Sequence, residues 1–516
     1  VAGRPRNLDP DPDSDFDEIP RLSQKSEVSR GAFRLPLFGP APFIGRMRIR
    51  RVRMASIHLY TRMPFRFGIF TLTEVPHLFL QVEAEMDGEV ATGLTAEHLL
   101  PKWFTKAPEK PVEEEIRELR QVVDQAVAFA REIEAPSVFA FWRELYARQR
   151  AWGEEIGWEP LLTQFGVSLV ERALIDAAAR RRGAAVADLI RGGGLGIDLS
   201  IAGEELKGFG PADFLRSAPL PSVVARHTVG LTDPLTDAEI EDESRIGDGL
   251  PQSLEACIRH YGLRHFKIKV GGDLERDVPR LRAVAETIGA NAPADCAFSL
   301  DGNEQFARPE DFRAFWDQIV ADDALKRFFE RVLFIEQPLG RKVALSDEAA
   351  AMREWRGLPP VIIDESDADL SSLPRALELG YAGASHKNCK GVIRGVLNRC
   401  LLERRRRADP AFSGLMSGED LVNIGPVALL QDLAIQAALG NESVERNGHH
   451  YFAGLSAFPE PARERVLEAH GDLYRRSPKG WPALDVKDGR LDLGSVNRAP
   501  FGVGFDLPLE LFEDVG

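Results

Sequence analysis

The residues of this chain best suited to chemistry are charged, and they end short apolar runs. "FKIKV" carries Lys267 and Lys269, "FSLDGN" carries Asp301, and "LFIEQP" carries Glu336. "VIIDES" carries Asp364 and Glu365, and "GASHKNCKGV" carries Lys387 and Lys390. A charge at the end of a buried strand has to be solvated, paired or used. If the runs are consecutive parallel strands, they deliver Lys, Asp, Glu, Asp and Lys to one rim. Converging carboxylates repel strongly unless a cation lies among them. Hard oxygen donors with positions left for water or substrate suit Mg²⁺. Taken singly, each acid reads as a helix cap or a lysine partner; in register on successive strands, the set points to a metal.

The lysines supply the other half of a reaction. Lys269 and Lys387 come from strands on opposite sides of the acids, so a substrate chelated there would lie between them. A desolvated lysine near a dication and a second lysine has a lowered pKa and becomes a usable base. A metal on a substrate carboxylate would stabilise the dianionic enediolate left when the α-proton departs. Lys267 shares a strand face with Lys269, two residues on. One of the pair abstracts the proton, while the other supports the carboxylate or depresses its neighbour's pKa. Lys390 reads as structural.

These side chains need elements to position them. From Val223 the chain alternates short apolar strands with helical stretches: "SVVARHTVG", "HFKIKV", "CAFSLD", "VLFIEQ", "PVIIDE", "YAGASHK", "FSGLMS" and a last short strand near "NESVERNG". Alternating βα units of this number fit a closed (β/α) barrel, whose sites lie at the carboxyl-terminal mouth. No Gly-rich phosphate loop follows the early strands, which weakens a dinucleotide-binding reading. Upstream, "RMRIRRVRMASIHLYT" and "HLFLQVEAEMDGEVATG" read as antiparallel strands, with turns expected at "PFRFG" and "DGE". Helical periodicity follows at "VEEEIRELRQVVDQAVAFAREI", "SVFAFWRELYARQRAWGEEI" and "SLVERALIDAAARRRGAAVADLI", the last stopping at "RGGG". The fold expected is α/β: a TIM-like (β/α) barrel with an N-terminal α+β domain, which the family resemblance of these motifs implies to be a modified barrel with a capping domain. The boundaries are a flexible Asp-, Pro- and Ser-rich tail at 1–45, the capping domain at 46–222, the barrel with its metal site at 223–455, and a segment at 456–516 packing back on the cap.

A net charge of −15 over 516 residues argues against a nucleic-acid partner. No apolar run reaches the length of a membrane span, and the N-terminus lacks a signal-peptide core. Cys257, Cys296, Cys389 and Cys400 show no metal-type spacing and are too few for a disulfide framework, so a reducing, cytoplasmic location is expected. A homo-oligomer is the general expectation.

The constellation resembles the enolase superfamily, more closely its muconate-lactonizing-enzyme branch than its mandelate racemase branch, over nearly all of 47–505. "PFRFG" resembles the mobile loop of that family's capping domain. The resemblance implies Lys269 as the acid/base of the K-x-K motif, Asp301, Glu336 and Asp364 as Mg²⁺ ligands, and Lys387 as the second catalytic lysine, with Lys267 beside them. Glu365 competes with Asp364 as a ligand. Asn303, Glu365, Ser417, Glu445 and Asn447 are expected to contact the substrate. Two departures matter. The seventh strand, "LMSGEDLVNIG", has Ser417 and Glu419 but no His, which favours a two-lysine mechanism. The eighth reads "SVERNGHHYF", where His449 and His450 read as a surface loop pair.

The function expected is Mg²⁺-dependent removal of the proton α to the carboxylate of a small molecule, by a racemase/epimerase or a cycloisomerase. An acid-sugar dehydratase with His449 as its acid is the alternative, and an inactive barrel with a structural ion network is a third reading. The specificity loop would be Pro64–Gly68, with Phe65 and Phe67 closing over the substrate.

Overall fold

The computed structural model describes residues 46–68 and 70–516. The tail expected at 1–45 lies outside them. Three antiparallel strands, β1 (Met47–Phe67), β2 (Phe70–Met86) and β3 (Glu89–His98), form the capping sheet. Asp87 and Gly88 turn β2 into β3 with φ of 54° and 81°, the doubly positive pair that matches the twist of a tight hairpin. The turn expected at "PFRFG" comes later. β1 runs on through Phe67, because Phe65 and Phe67 are buried while Pro64 and Arg66 face out, so the strand alternation persists.

Three helices follow: α1 (Val112–Ala130), α2 (Val138–Ile156) and α3 (Pro160–Arg182). Ser137 caps α2 by accepting from the Ala140 amide. α3 starts eight residues earlier than the sequence reading placed it and ends before "RGGG". Pro160 suits the first helical turn, and Gly183, at φ 58°, stops the helix in the left-handed conformation. Residues from Leu161 to Ala179 are buried without a break, so α3 is wrapped on all sides and has no solvent stripe. It approaches the sheet so closely that a Cβ on Gly93 would lie 2.0 Å from the Ala173 carbonyl oxygen.

Eight parallel strands then close on themselves: β4 (Ser222–Val229), β5 (His265–Lys269), β6 (Ala297–Asp301), β7 (Val332–Glu336), β8 (Val361–Ile363), β9 (Gly383–His386), β10 (Leu415–Gly418) and β11 (Ser443–Glu445). β11 pairs with β4, Glu445 opposite Arg226, which completes the barrel. The stretch "SDEAAAMREW", read as helical, is a 3₁₀ helix over Asp347–Glu354. Beyond residue 455 the chain pairs with both layers: Arg490–Asp492 runs antiparallel to β4, and Glu513–Asp514 runs antiparallel to β1. Among the described residues, no helix is long and apolar enough to cross a membrane.

Candidate active site at the barrel mouth

Strand register assembles the site. Lys269 pairs with Asp301, and Asp301 with Glu336, across three neighbouring strand ends. Asp364, Lys387 and Glu419 each stand immediately past β8, β9 and β10, and Glu445 ends β11. All are buried. Their hub is Lys267. Its ammonium lies 3.0 Å from Asp301, 2.9 Å from Glu336, 2.8 Å from Glu419 and 2.9 Å from Glu445. Four strands thus aim carboxylates at one amine, which is the reason a lysine can be fully buried here.

The two flanking lysines are held by different acids. Lys269 donates to Asp301 and to the Asn303 side-chain oxygen, both at 2.7 Å. Lys387 donates to Asp364 at 2.8 Å and Glu419 at 2.7 Å, and lies 5.3 Å from the centre of the Trp103 ring, a cation–π distance. Lys390 sits behind it, donating to the Asp364 and Ser385 carbonyls at 2.7 and 3.1 Å. Arg226, from β4, donates to Ser417 Oγ at 2.7 Å and Glu419 at 3.0 Å from the barrel interior. Taken together, Asp301, Glu336, Asp364, Glu419 and Glu445 are balanced one for one by Lys267, Lys269, Lys387, Lys390 and Arg226.

Proton affinities follow from this crowding. Burial and the neighbouring Glu419 push Glu336 well above the usual carboxylate range. Against the penalty of burial, Lys267, Lys387 and Arg226 hold Glu419 well below that range. Burial likewise opposes ionisation of Asp301, yet Lys267 and Lys269 keep it ionised. Burial favours neutral amines, but the carboxylates outweigh it and raise both Lys267 and Lys387 well above the ordinary lysine value.

The donors fit a hard divalent cation. Glu336, Asp364 and Glu419 each offer an oxygen, all within 4.8 Å of one another. Asp301 is outside that trio because one of its oxygens is turned to Lys267 and Lys269 and the other accepts the Asn303 amide.

A cavity of about 40 Å³ opens over this centre. Lys267, Lys269, Asp301, Asn303, Asp364 and Lys387 form its polar floor, with Glu445 and Asn447 beside them. Phe65, Phe67, Leu100, Trp103, Leu421 and Val422 form an apolar roof and wall. The volume holds a few waters, so an organic acid requires the cap to move. Glu365 and Ser417 do not line this cavity. Glu365 alternates away from Asp364 into a separate cleft with Glu159 and Arg341, and burial with Asp364 and Glu304 nearby raises it to about 8. Ser417 is occupied by Arg226 and donates to Glu419 at 2.8 Å. His449 and His450 are buried rather than a surface pair. Sequence reasoning left Glu419 out of the site, although its position one residue past β10 repeats that of Asp364 and Lys387. Trp103 carried no local signal.

Residues 250–394 match the family model for the enolase C-terminal domain-like fold. No curated protein matches the chain in sequence. Solved structures do. The muconate lactonizing enzyme from Pseudomonas fluorescens, complexed with muconolactone, is 17% identical at a TM-score of 0.55, covering 90% of this chain and 98% of its own. A dipeptide epimerase from Enterococcus faecalis V583, complexed with Mg and the dipeptide L-Leu-L-Tyr, is 14% identical at 0.55, covering 88% and 99%. An enolase from Bradyrhizobium, complexed with magnesium and mandelic acid, is 17% identical at 0.52, covering 87% and 94%. The closed barrel, its cap and the matched segment define the class: this chain has the enolase-superfamily fold. A mandelate racemase/muconate lactonizing enzyme from Bordetella bronchiseptica RB50 shares this fold, 18% identical over 90% of this chain and 98% of its own at a TM-score of 0.54.

Proposed function

We propose that the protein is a Mg²⁺-dependent isomerase that removes the proton α to a substrate carboxylate, with Lys269 and Lys387 as the acid/base pair. The observation that carries this reading is that both lysines line one cavity, Lys269 tied to Asp301 and Lys387 to Asp364, with the acids between them. Glu336, Asp364 and Glu419 would hold the ion, and Asp301, expected as a ligand, is instead held by Lys267 and Lys269 beside them. When bound, the ion supplies positive charge that stabilises a carboxylate gaining a second negative charge. The chain's own groups do the rest. Two added positive charges among these groups would favour loss of a proton from Glu336 and from an ammonium, leaving a lysine free to act as base. Lys267, now among four carboxylates, supports the anion. Asn303 and Asn447 orient polar groups of the substrate. The apolar roof of Phe65, Phe67, Trp103 and Leu421 selects an acid with an apolar body and, once closed, keeps water from the carbanion.

Racemisation or epimerisation uses both lysines for proton transfer; cycloisomerisation uses one, with the other stabilising charge. Dehydration of an acid sugar with His449 as the acid loses support. His449 is not among the residues lining the central cavity, and it is packed against His227 and Tyr261, where burial holds it well below the ordinary histidine value. The test is incubation in D₂O with Mg²⁺ and a panel of apolar-bodied carboxylic acids, followed by NMR. Deuterium at the α-carbon of at least one acid, abolished by EDTA, is expected. No exchange with any acid, or exchange indifferent to EDTA, counts against the reading.

A further inference from the structure

A second cluster lies outside the proposed catalytic centre. On β4, Arg226 reaches Glu419 and Thr228 donates to Glu445 at 2.6 Å, so both face the barrel interior. Strand alternation sends His227 between them to the outer wall. There it meets Cys257, from the helix Leu254–Tyr261, and His450, from the turn Gly448–Tyr451 after β11. One ligand atom from each of the three lies within 4.8 Å of the others, and all three residues are buried.

We propose that His227, Cys257 and His450 form a binding site for a soft divalent metal of the zinc class, separate from the carboxylate centre. The Cys257 Sγ to His450 Nδ1 distance is 3.4 Å. Zinc with bonds of about 2.3 Å to sulfur and about 2.0 Å to nitrogen sets those two atoms about 3.5 Å apart in a tetrahedral shell. Thiolate and imidazole are donors that select such ions over magnesium, which the oxygen centre suits. His227 is prepared as a ligand: its Nδ1 is 3.3 Å from His449 Nε2, which leaves Nε2 for a metal and fixes the ring. The His449 Nδ1 beyond it is buried with no partner, so this histidine is not fully accounted for by core packing. On binding, the Cys257 thiol releases its proton to solvent and the metal takes the thiolate, while the imidazoles bind neutral. The site joins the first strand, the first barrel helix and the turn that follows the last strand. Asn447 of the central cavity directly precedes that turn, and Arg62 of the cap donates to the His450 carbonyl at 3.1 Å. A metal here fastens the seam where the barrel closes.

The test uses full-length protein desalted without chelator. Metal analysis is expected to find about one zinc per chain. Co²⁺ exchanged into the protein is expected to give a thiolate-to-cobalt charge-transfer band, which the carboxylate centre cannot produce. Cys257→Ser removes the band, and Cys389→Ser and Cys400→Ser keep it. If Cys257→Ser does not fold, a chain keeping Cys257 as its sole cysteine decides, because it must retain the band. Absence of the band in the wild type or in that chain, or its survival in folded Cys257→Ser, overturns the proposal.

Discussion

Replacing Lys267 by methionine tests the charge balance at its hub. Methionine keeps the length and apolar stem but removes the ammonium within 3.0 Å of Asp301, Glu336, Glu419 and Glu445. Breaking a buried ion pair from one side costs about 3–5 kcal/mol, since the partner is left charged in a low-dielectric site. The cost has a direction with pH. In the wild type, Asp301 and Glu419 are held below their ordinary values, so their contribution is present at neutral pH and lost as pH falls through those lowered values. Without Lys267 the same acids shift upward, bind protons more readily in the folded than in the unfolded chain, and weaken the fold as pH rises. The deficit of Lys267→Met is therefore largest near pH 8 and shrinks near pH 5. Urea unfolding in EDTA, read by circular dichroism, measures it, and Mg²⁺ at pH 8 is expected to restore part of it by standing in for the lost cation. A variant as stable as the wild type at pH 8 in EDTA, or a deficit that does not change with pH, refutes the reasoning.

Glu171, on α3, accepts the Val392 and Ile393 amides at the start of the helix that follows Lys387, and burial raises it from 4.5 to about 7. An acid raised in the fold loses stability as pH climbs from its unfolded value to its folded one, worth about 3 kcal/mol here. Glu171→Gln should therefore gain on the wild type between pH 5 and pH 7.5 in paired unfolding curves; parallel curves contradict this. Mg²⁺ binding should release protons in the pH range where Glu336 titrates, because burial and Glu419 raise that acid while a cation binds it only when ionised. Calorimetry in buffers of different ionisation enthalpy reads this as a buffer-dependent heat, and identical heats contradict it.

The barrel and the rim were legible because their signals are local. An apolar run of four or five residues ending in a charge needs no distant partner to be seen, and its repetition from Lys269 to Lys387 gives the order of the strands. What escaped is what depends on distant residues. The state of Lys267 is set by acids from four strands, which no single stretch of sequence reveals. Glu365 and Ser417 share strand ends with site residues but point elsewhere, which period-two alternation resolves only once the register is known. α3 begins at Pro160, ahead of the periodic stretch, because burial on all sides erased the amphipathic pattern that marks a helix start. His227, Cys257 and His450 are far apart in the chain and form no spaced motif; only closure of β11 on β4 brings them together.

The proposed chemistry needs two amines working on one α-carbon. The most direct measurement is α-proton exchange in D₂O with Mg²⁺ and an active acid, comparing the wild type with Lys269→Ala and Lys387→Ala, each verified as folded by circular dichroism. Exchange is predicted to fall by at least about a hundredfold in each variant, the range for loss of a general acid or base. Wild-type exchange persisting in both variants would contradict the account.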